Sequence, residues 1–287
     1  MSAHNTRRAV PVPGTASGTA PAPGGGTLYY EALGEPDGTP LVLAHGGMLD
    51  LTMWDELAPA LARAGHRVVR YDQRGHGRSS SVTGDWSNHA DLRALLAHLR
   101  LQNPVLIGLS GGARLIVDHA VDVPDDDPTA PSALVLAAPG LSGREFTDPY
   151  TLQHFGEQIA AVGAPDGAER YVEHFLRMWA DGPYRVPADL DPALRERLRA
   201  GAAANVADHA GGLGAGRLIE ANAAERLDRL RVRRLVIVGE LDTTDIHTNA
   251  RALGGRLVTV PGAGHTVNLE APDRFERAIL SFLGGRR

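Results

Sequence analysis

From residue 27 to residue 138, runs of strand length alternate with helix-patterned segments, and that alternation admits few architectures. Residues 28–32, 41–44, 67–71, 104–109 and 133–138 read as strands. The fourth is apolar and bounded by turn residues, as a parallel strand buried on both faces is. Between them, Trp54, Leu57, Ala58 and Leu61 fall on one helix face, Leu92, Leu95, Leu96 and Leu99 form a second stripe, and 113–121 continues as a helix. Strands separated by helices imply a parallel sheet covered on both sides. The alternation then stops. Residues 143–228 contain no strand pattern and carry helical segments near 150–161, 168–180 and 192–209. It resumes with strands at 235–238 and 257–260 and a last helix presenting Phe275, Ala278, Ile279, Phe282 and Leu283 on one face. The expected fold is α/β: a doubly wound, mostly parallel sheet of about eight strands built from 27–142 and 229–287, with a helical cap inserted at 143–228. Nineteen of residues 1–26 are Ala, Gly, Pro, Ser or Thr. That composition buries too little apolar surface to order itself and predicts a flexible leader, with 9–12 as its one candidate edge strand.

Composition removes several chemistries. The chain has 287 residues, no cysteine, and no lysine among its 29 basic residues. Disulfides, thiolate metal sites and cysteine nucleophiles are excluded, as are the lysines of a Walker phosphate loop, a pyridoxal Schiff base or a Ser-Lys pair. A net charge of −5 argues against a nucleic-acid partner. No apolar run approaches the ~18 residues of a membrane span. Arg7-Arg8 is followed by a Pro- and Gly-rich stretch rather than an apolar segment, so no export signal is expected, and a cytoplasmic location is.

The strongest local signal is Gly108-Leu109-Ser110-Gly111-Gly112, between an apolar strand and a helix. A G-x-S-x-G turn there is sharp, needs small flanking residues, and leaves the serine oxygen exposed above the sheet. A serine hydroxyl is a weak nucleophile and needs a base, itself oriented by an acid. Pro261-Gly262-Ala263-Gly264-His265 places a histidine just past one strand, and Val238-Gly239-Glu240-Leu241-Asp242 places carboxylates just past another. Both lie at carboxyl ends of strands, where open α/β sheets hold ligands. Of the three acids crowding that loop, Glu240 comes early, and Asp245 is placed to cap the following helix. Asp242 sits at the crest, beyond the turn that Gly239 permits. A tetrahedral oxyanion also needs preorganised N–H donors. Gly111, following the serine, supplies one. Leu43-Ala44-His45-Gly46-Gly47-Met48 supplies the other, from Gly47 or, failing that, Met48.

With these motifs the chain, from Thr27 to its C-terminus, resembles the α/β-hydrolase superfamily, in particular its esterase, enol-lactonase and cofactor-free haloperoxidase-like branch. Tyr71-Asp72-Gln73-Arg74-Gly75-His76-Gly77-Arg78-Ser79 resembles the family's loop after its fourth strand. A structural role is expected there, with Arg74 paired to a carboxylate, because the lineage places its base at the position of His265. Leu109 and Gly111 depart from the His and the Met or Gln that many relatives carry, without removing a catalytic group. The resemblance implies hydrolysis of a carboxylic ester or lactone of a small apolar molecule through an acyl-serine. Ser110 is the nucleophile, His265 the base, Asp242 the orienting acid, and Gly47 and Gly111 form the oxyanion hole. No metal or organic cofactor is implied, and the partner implied is the small-molecule substrate, with neither nucleic acid nor membrane. The same residues would serve a cofactor-free perhydrolase or a lyase or cyclase, and a small-molecule receptor with negligible turnover is the alternative outside enzymes. Gly212-Leu213-Gly214-Ala215-Gly216-Arg217 lacks the preceding strand of a dinucleotide fingerprint and reads as an inter-helix hinge. Asp122, Asp125, Asp126 and Asp127 match no calcium-loop spacing and read as a solvated turn.

Overall fold

An eight-stranded sheet organises the computed structural model, which describes residues 14–212 and 214–285. Its strands are β1 (Ala16–Pro21), β2 (Thr27–Gly34), β3 (Pro40–Ala44), β4 (Arg67–Tyr71), β5 (Val105–Leu109), β6 (Ala133–Ala137), β7 (Arg233–Gly239) and β8 (Arg256–Val260). They lie in the order β1-β2-β4-β3-β5-β6-β7-β8. β1, β2 and β4 pair antiparallel, and every pairing from β4 to β8 is parallel. The expected open, doubly wound sheet is therefore the fold. Every residue of β5 and β6 is buried, which is why Val-Leu-Ile-Gly-Leu and Ala-Leu-Val-Leu-Ala carry no alternation.

Strand geometry sends successive side chains to opposite faces. Leu41 and Leu43 join the core on one face, with Ala58 and Leu61 of α1 (Leu57–Arg63) and Phe275 and Ile279 of the C-terminal helix (Pro272–Gly284). Val42 and Ala44 join the other, with Leu92 of α2 (Asn88–His98), Ile116 of α3 (Gly111–Asp122) and Ile246 of α7 (Thr244–Leu253).

The stretch expected as a flexible leader over 1–26 is ordered from its middle onward. Ala16 to Pro21 pair with Ala32 to Thr27 along the edge of the sheet. The ladder supplies backbone hydrogen bonds that small side chains do not advertise in a hydropathy pattern. Gly18 leaves room for the Tyr30 ring, since a Cβ there would stand 2.7 Å from its hydroxyl and push it aside. The candidate strand at 9–12 lies outside the described residues.

Between β6 and β7 the chain makes a helical excursion through α4 (Pro149–Ala161), α5 (Gly167–Leu176), a π turn at Arg177–Asp181, and α6 (Pro192–His209), with no strand among its described residues. Its Phe175, Leu176, Leu198 and Ala202 belong to the same core as Leu41 and Leu43, so it is seated on the sheet rather than built around a core of its own. No helix among the described residues is long and apolar enough to cross a membrane.

The strand order reverses between β3 and β5, from which the chain proceeds to opposite edges. Such a switch point opens a crevice at the carboxyl ends of the strands. Ala44, opposite Gly108 in the ladder, delivers His45-Gly46-Gly47 there, and Leu109 delivers Ser110 beside it.

Candidate active site

Ser110 adopts φ 55° and ψ −113°, a conformation that hard-sphere contacts disfavour for any residue with a Cβ. Such a residue stores ~1–3 kcal/mol of strain, held by its surroundings. Here the surroundings are the Ser110 N–H bonded to Ala137 O at 2.9 Å and the start of α3 directly behind it. The motif glycines are close-approach residues. A Cβ on Gly112 would lie 2.1 Å from Ala44 O, and one on Gly108 would lie 2.4 Å from Gly112 O. A Cβ on Gly111 meets only Gly47 N, at 3.6 Å. Gly112→Ala should accordingly lose ~1–3 kcal/mol or more in urea unfolding, as overpacked sites do. Gly111→Ala should stay within ~1 kcal/mol of the parent, because its methyl group enters ordinary contact.

The turn after β3 is moulded by the loop after β4. His45 is fully buried, its Nδ1–H donating to Gly46 O at 2.8 Å while Nε2 accepts the Gln73 N–H at 2.9 Å. The Gln73 amide also donates to His45 O at 2.6 Å. Burial lowers the His45 pKa from 6.5 to about 4 and that of His76 to about 3, so both rings are neutral and structural. His76 Nε2 accepts the Met48 N–H at 3.3 Å, whereas Gly47 is exposed and its N–H has no acceptor among the described residues. Of the two candidate donors, Gly47 is therefore the free one. Arg74 pairs with buried Asp91 through contacts of 2.9 and 2.6 Å, the carboxylate that the sequence left unnamed.

A histidine kept neutral when folded but free to protonate when unfolded loses stability as pH falls below 6.5, until its folded-state value near 4 is reached. Over that window the parent's unfolding free energy should fall more steeply than that of His45→Gln, by about one proton or ~1.4 kcal/mol per pH unit. Equal slopes in urea titrations at pH 6.5, 5.5 and 4.5 would remove His45 as the cause.

The loops after β7 and β8 run side by side. Glu240 N–H donates to Val260 O at 3.0 Å and Leu241 N–H to Ala263 O at 2.8 Å. Gly239 is needed for this contact rather than for a turn, because a Cβ there would lie 2.1 Å from Gly264 O. The pairing brings Asp242 against His265, whose Nδ1–H donates to Oδ2 at 2.9 Å and lies 3.1 Å from Oδ1. Asp242 and His265 are both buried. Glu240 instead accepts the Gly262 N–H at 2.9 Å. Asp245 does not cap α7, as the sequence reading expected. Its carboxylate reaches across to accept the Thr147 N–H (2.9 Å), the Thr147 hydroxyl (2.6 Å) and the Asp148 N–H (2.9 Å), just ahead of α4. Those N–H groups sit on the approach to a helix and outcompete a local cap, because one carboxylate satisfies three donors at once.

A cavity of about 210 Å³ is lined by Ser110, His265, Gly47 and Gly111, with Phe146, Phe155 and Trp179 over them. His265 Nε2 is buried there without a hydrogen-bond partner. Two features escaped the sequence reading. Trp179, on the π turn, packs its ring 4.5 Å from that of His265, centroid to centroid. Glu270 accepts the Gly264 N–H (2.9 Å), the Thr266 hydroxyl (2.9 Å) and Arg185 Nη1 (2.6 Å), clamping the turn that carries His265. Arg185 in turn donates to the carbonyls of Asp181 and Ala180, tying that clamp to the helical excursion. The local sign is the Thr266-to-Glu270 spacing of one helical turn; nothing local points to Trp179 or Arg185.

The remaining candidates play no part in this site. The glycine stretch at 212–217 follows a short 3₁₀ turn rather than a strand, and its Gly216 is needed because a Cβ would stand 2.0 Å from Gly84 O; Leu213 lies outside the described residues. Asp127 accepts the Thr129 N–H at 2.8 Å and pairs with Arg93, and the described residues contain no cluster of His, Asp or Glu that could hold a metal ion.

Comparison with known proteins bears on the family and the fold. The family model described as "Alpha/beta hydrolase family" matches residues 41–278. A putative non-heme chloroperoxidase of Synechocystis sp. is 27% identical over 271 residues, covering 89% of this chain and 94% of the relative. A rhodomycin D methylesterase of Streptomyces peucetius is 28% identical, covering 89% and 94%. The crystal structure of a hydrolase from Pseudomonas aeruginosa PA01 superposes with a TM-score of 0.72 at 30% identity, covering 94% of this chain and 98% of that one. An enol-lactonase from Burkholderia xenovorans LB400, at 23% identity and a TM-score of 0.71, shares the fold over 93% of this chain and 100% of its own. The chain belongs to the alpha/beta hydrolase family.

Proposed function

We propose that the protein hydrolyses a carboxylic ester or lactone of an apolar molecule through an acyl-serine intermediate. The observation that carries this reading is the buried Asp242–His265 pair, whose unpartnered Nε2 lies in the same cavity as the strained Ser110. Asp242 holds the imidazole with its proton on Nδ1, leaving the Nε2 lone pair to accept the serine proton as Ser110 Oγ attacks the carbonyl carbon. Ser110 Oγ and His265 Nε2 share no hydrogen bond before substrate binds, and catalytic bonds of this kind often form or tighten only in the complex. The carbonyl oxygen becomes an oxyanion facing the Gly47 and Gly111 N–H groups. Gly111 opens α3, so its N–H is one of the helix's unpaired first-turn donors and lies at the positive end of the dipole. His265 then protonates the leaving alkoxide, and water, deprotonated by the same ring, resolves the acyl-serine. Relatives named as esterases and methylesterases support the chemistry.

The test is covalent labelling with a fluorophosphonate followed by digestion. With no lysine in the chain, trypsin cuts only after arginine, and Ser110 is the sole serine of the peptide 101–114. Label on that peptide, lost in the presence of a cleavable ester or lactone, is the expected result. Label elsewhere would move the nucleophile off Ser110, and a protein that binds esters without burst or turnover would be a receptor. Because relatives also include non-heme chloroperoxidases and an esterase/perhydrolase, the assay carries a hydrogen peroxide arm. Peracid formed at the expense of free acid identifies peroxide, rather than water, as the acceptor.

A further inference from the structure

A second cavity, of about 580 Å³, lies between the Arg74–Val82 region, the α4–α5 turn and the end of α6. We propose that it is the substrate's second chamber and that the ester acted on carries a bulky, uncharged apolar group seated there. This rests on the hydrolase reading and extends it to the class of substrate. Clefts that enclose drug-sized ligands run from ~300 to ~1,000 Å³. The chamber around Ser110, at about 210 Å³, falls short of that range and holds only the reacting end of such a molecule. The outer chamber falls within it.

Met48 is the residue common to both linings. Its backbone is pinned, with φ at 61° and its N–H on His76, while its unbranched side chain is half-buried, packed against the core, and of a type that adapts to irregular neighbours. The divide continues along the excursion. Phe155 and Gln158 of α4 face the Ser110 chamber, Ala161 and Val162 one turn later face the outer one, and Gln158 donates to Tyr171 O at 3.2 Å across the boundary. A molecule spanning both chambers therefore passes beside Met48.

The outer lining selects against charge. Arg74 is neutralised by Asp91 and also donates to the carbonyls of Pro23 and Gly25. His76 is neutral and bonded at both nitrogens, Asn205 donates to Gly75 O, and His209 is engaged by Gly77 O and Ser81. The Arg74, His76 and His209 side chains and the Asn205 amide nitrogen already have partners. The rest of that wall is Val82, Trp86, Val206, small residues of the α4–α5 turn and Tyr171, whose hydroxyl is uncommitted among the described residues. In the inner chamber the one guanidinium, Arg114, is paired with Glu220. Uncommitted polar atoms include Arg114 Nε in the inner chamber and the Tyr171 hydroxyl in the outer one; with every charged side chain of the two linings paired, a charged ligand would surrender water contacts without a counter-charge.

The experiment fills the outer chamber from two walls, with Ala168→Trp on α5 and Val206→Trp on α6, so that one variant remains informative if the other misfolds. Binding is read in a Ser110→Ala background with two fluorescent probes, 1-pyrenylmethyl acetate (bulky alcohol) and methyl 1-pyrenecarboxylate (bulky acyl group). We expect saturable binding of at least one probe, weakened about tenfold or more by either folded Trp variant. With Ser110 present, the ratio of kcat/KM for the bulky ester to that for phenyl acetate or methyl benzoate should fall by a similar factor. Binding weakened by the variants without cleavage of any ester would keep the chamber and remove the hydrolase reading. Unchanged binding and an unchanged ratio in both variants, with esters still cleaved, would overturn the chamber and leave that reading standing.

Discussion

Replacing Ser110 with alanine is expected to lower kcat by at least ~10³-fold, and by up to the ~10⁶-fold seen when a serine protease loses its nucleophile. The attacking atom is removed, while the donors at Gly47 and Gly111 and the Asp242–His265 pair stay in place. A residual rate of ~10³–10⁴ over the uncatalysed reaction should survive from oxyanion stabilisation and binding alone. The fold should persist or gain, because the strain at φ 55° belongs to the backbone and is carried by either residue. Fluorophosphonate labelling should vanish entirely. Measuring kcat for the best ester found, together with the unfolding midpoint, separates loss of chemistry from loss of structure. Wild-type hydrolysis of p-nitrophenyl acetate by the variant would place the reaction elsewhere.

Much of this arrangement was readable because its parts sit at strand ends. β5 is apolar through all of its residues and stops at a glycine-flanked serine, so the turn and its direction follow from local sequence. Asp242 and His265 each lie just beyond an apolar run, and adjacent parallel strands bring such positions together without further instruction. β1 was not readable, since Ala16–Pro21 has no large side chain and owes its conformation to the ladder with β2.

Contacts across long separations were not readable either. The π turn that carries Trp179 is held by Asp181, fully buried and bonded to Arg195 at 2.9 Å, in a polar lock between helices whose spacing leaves no periodic trace. The clamp of Arg185 and Glu270 joins positions 85 residues apart. The glycine at 239 illustrates the intermediate case. The residue type was informative, but its reason is the nearness of Gly264 O in the neighbouring loop, which only the tertiary structure supplies.

The choice between Asp242 and Asp245 yields the second large effect. Asp242→Asn preserves the side chain's shape, but an amide offers both a donor and an acceptor where His265 Nδ1–H now meets two carboxylate oxygens, at 2.9 and 3.1 Å. With the amide nitrogen toward the ring, the imidazole adopts the tautomer protonated on Nε2 and can no longer accept from Ser110. The corresponding change in a serine protease lowers kcat by ~10⁴ with the geometry intact, and a loss of that order is expected here. Because the fault is one of tautomer, raising the pH should not restore the parent rate. Asp245→Asn acts differently. Its Oδ2 takes both backbone N–H groups and its Oδ1 the Thr147 hydroxyl, so an asparagine oriented with its oxygen on the N–H groups keeps those two bonds, can donate to the hydroxyl, and loses the charge that strengthened all three. Exchanging charge-assisted hydrogen bonds (~1.5–3 kcal/mol each) for neutral ones (~1 kcal/mol each) should cost this variant ~1–3 kcal/mol of stability. Its effect on kcat should be small by comparison, arriving only through looser seating of α4 above the cavity. Steady-state kinetics and urea unfolding on both variants decide the matter: an inactive Asp245→Asn beside an active Asp242→Asn would reverse the assignment.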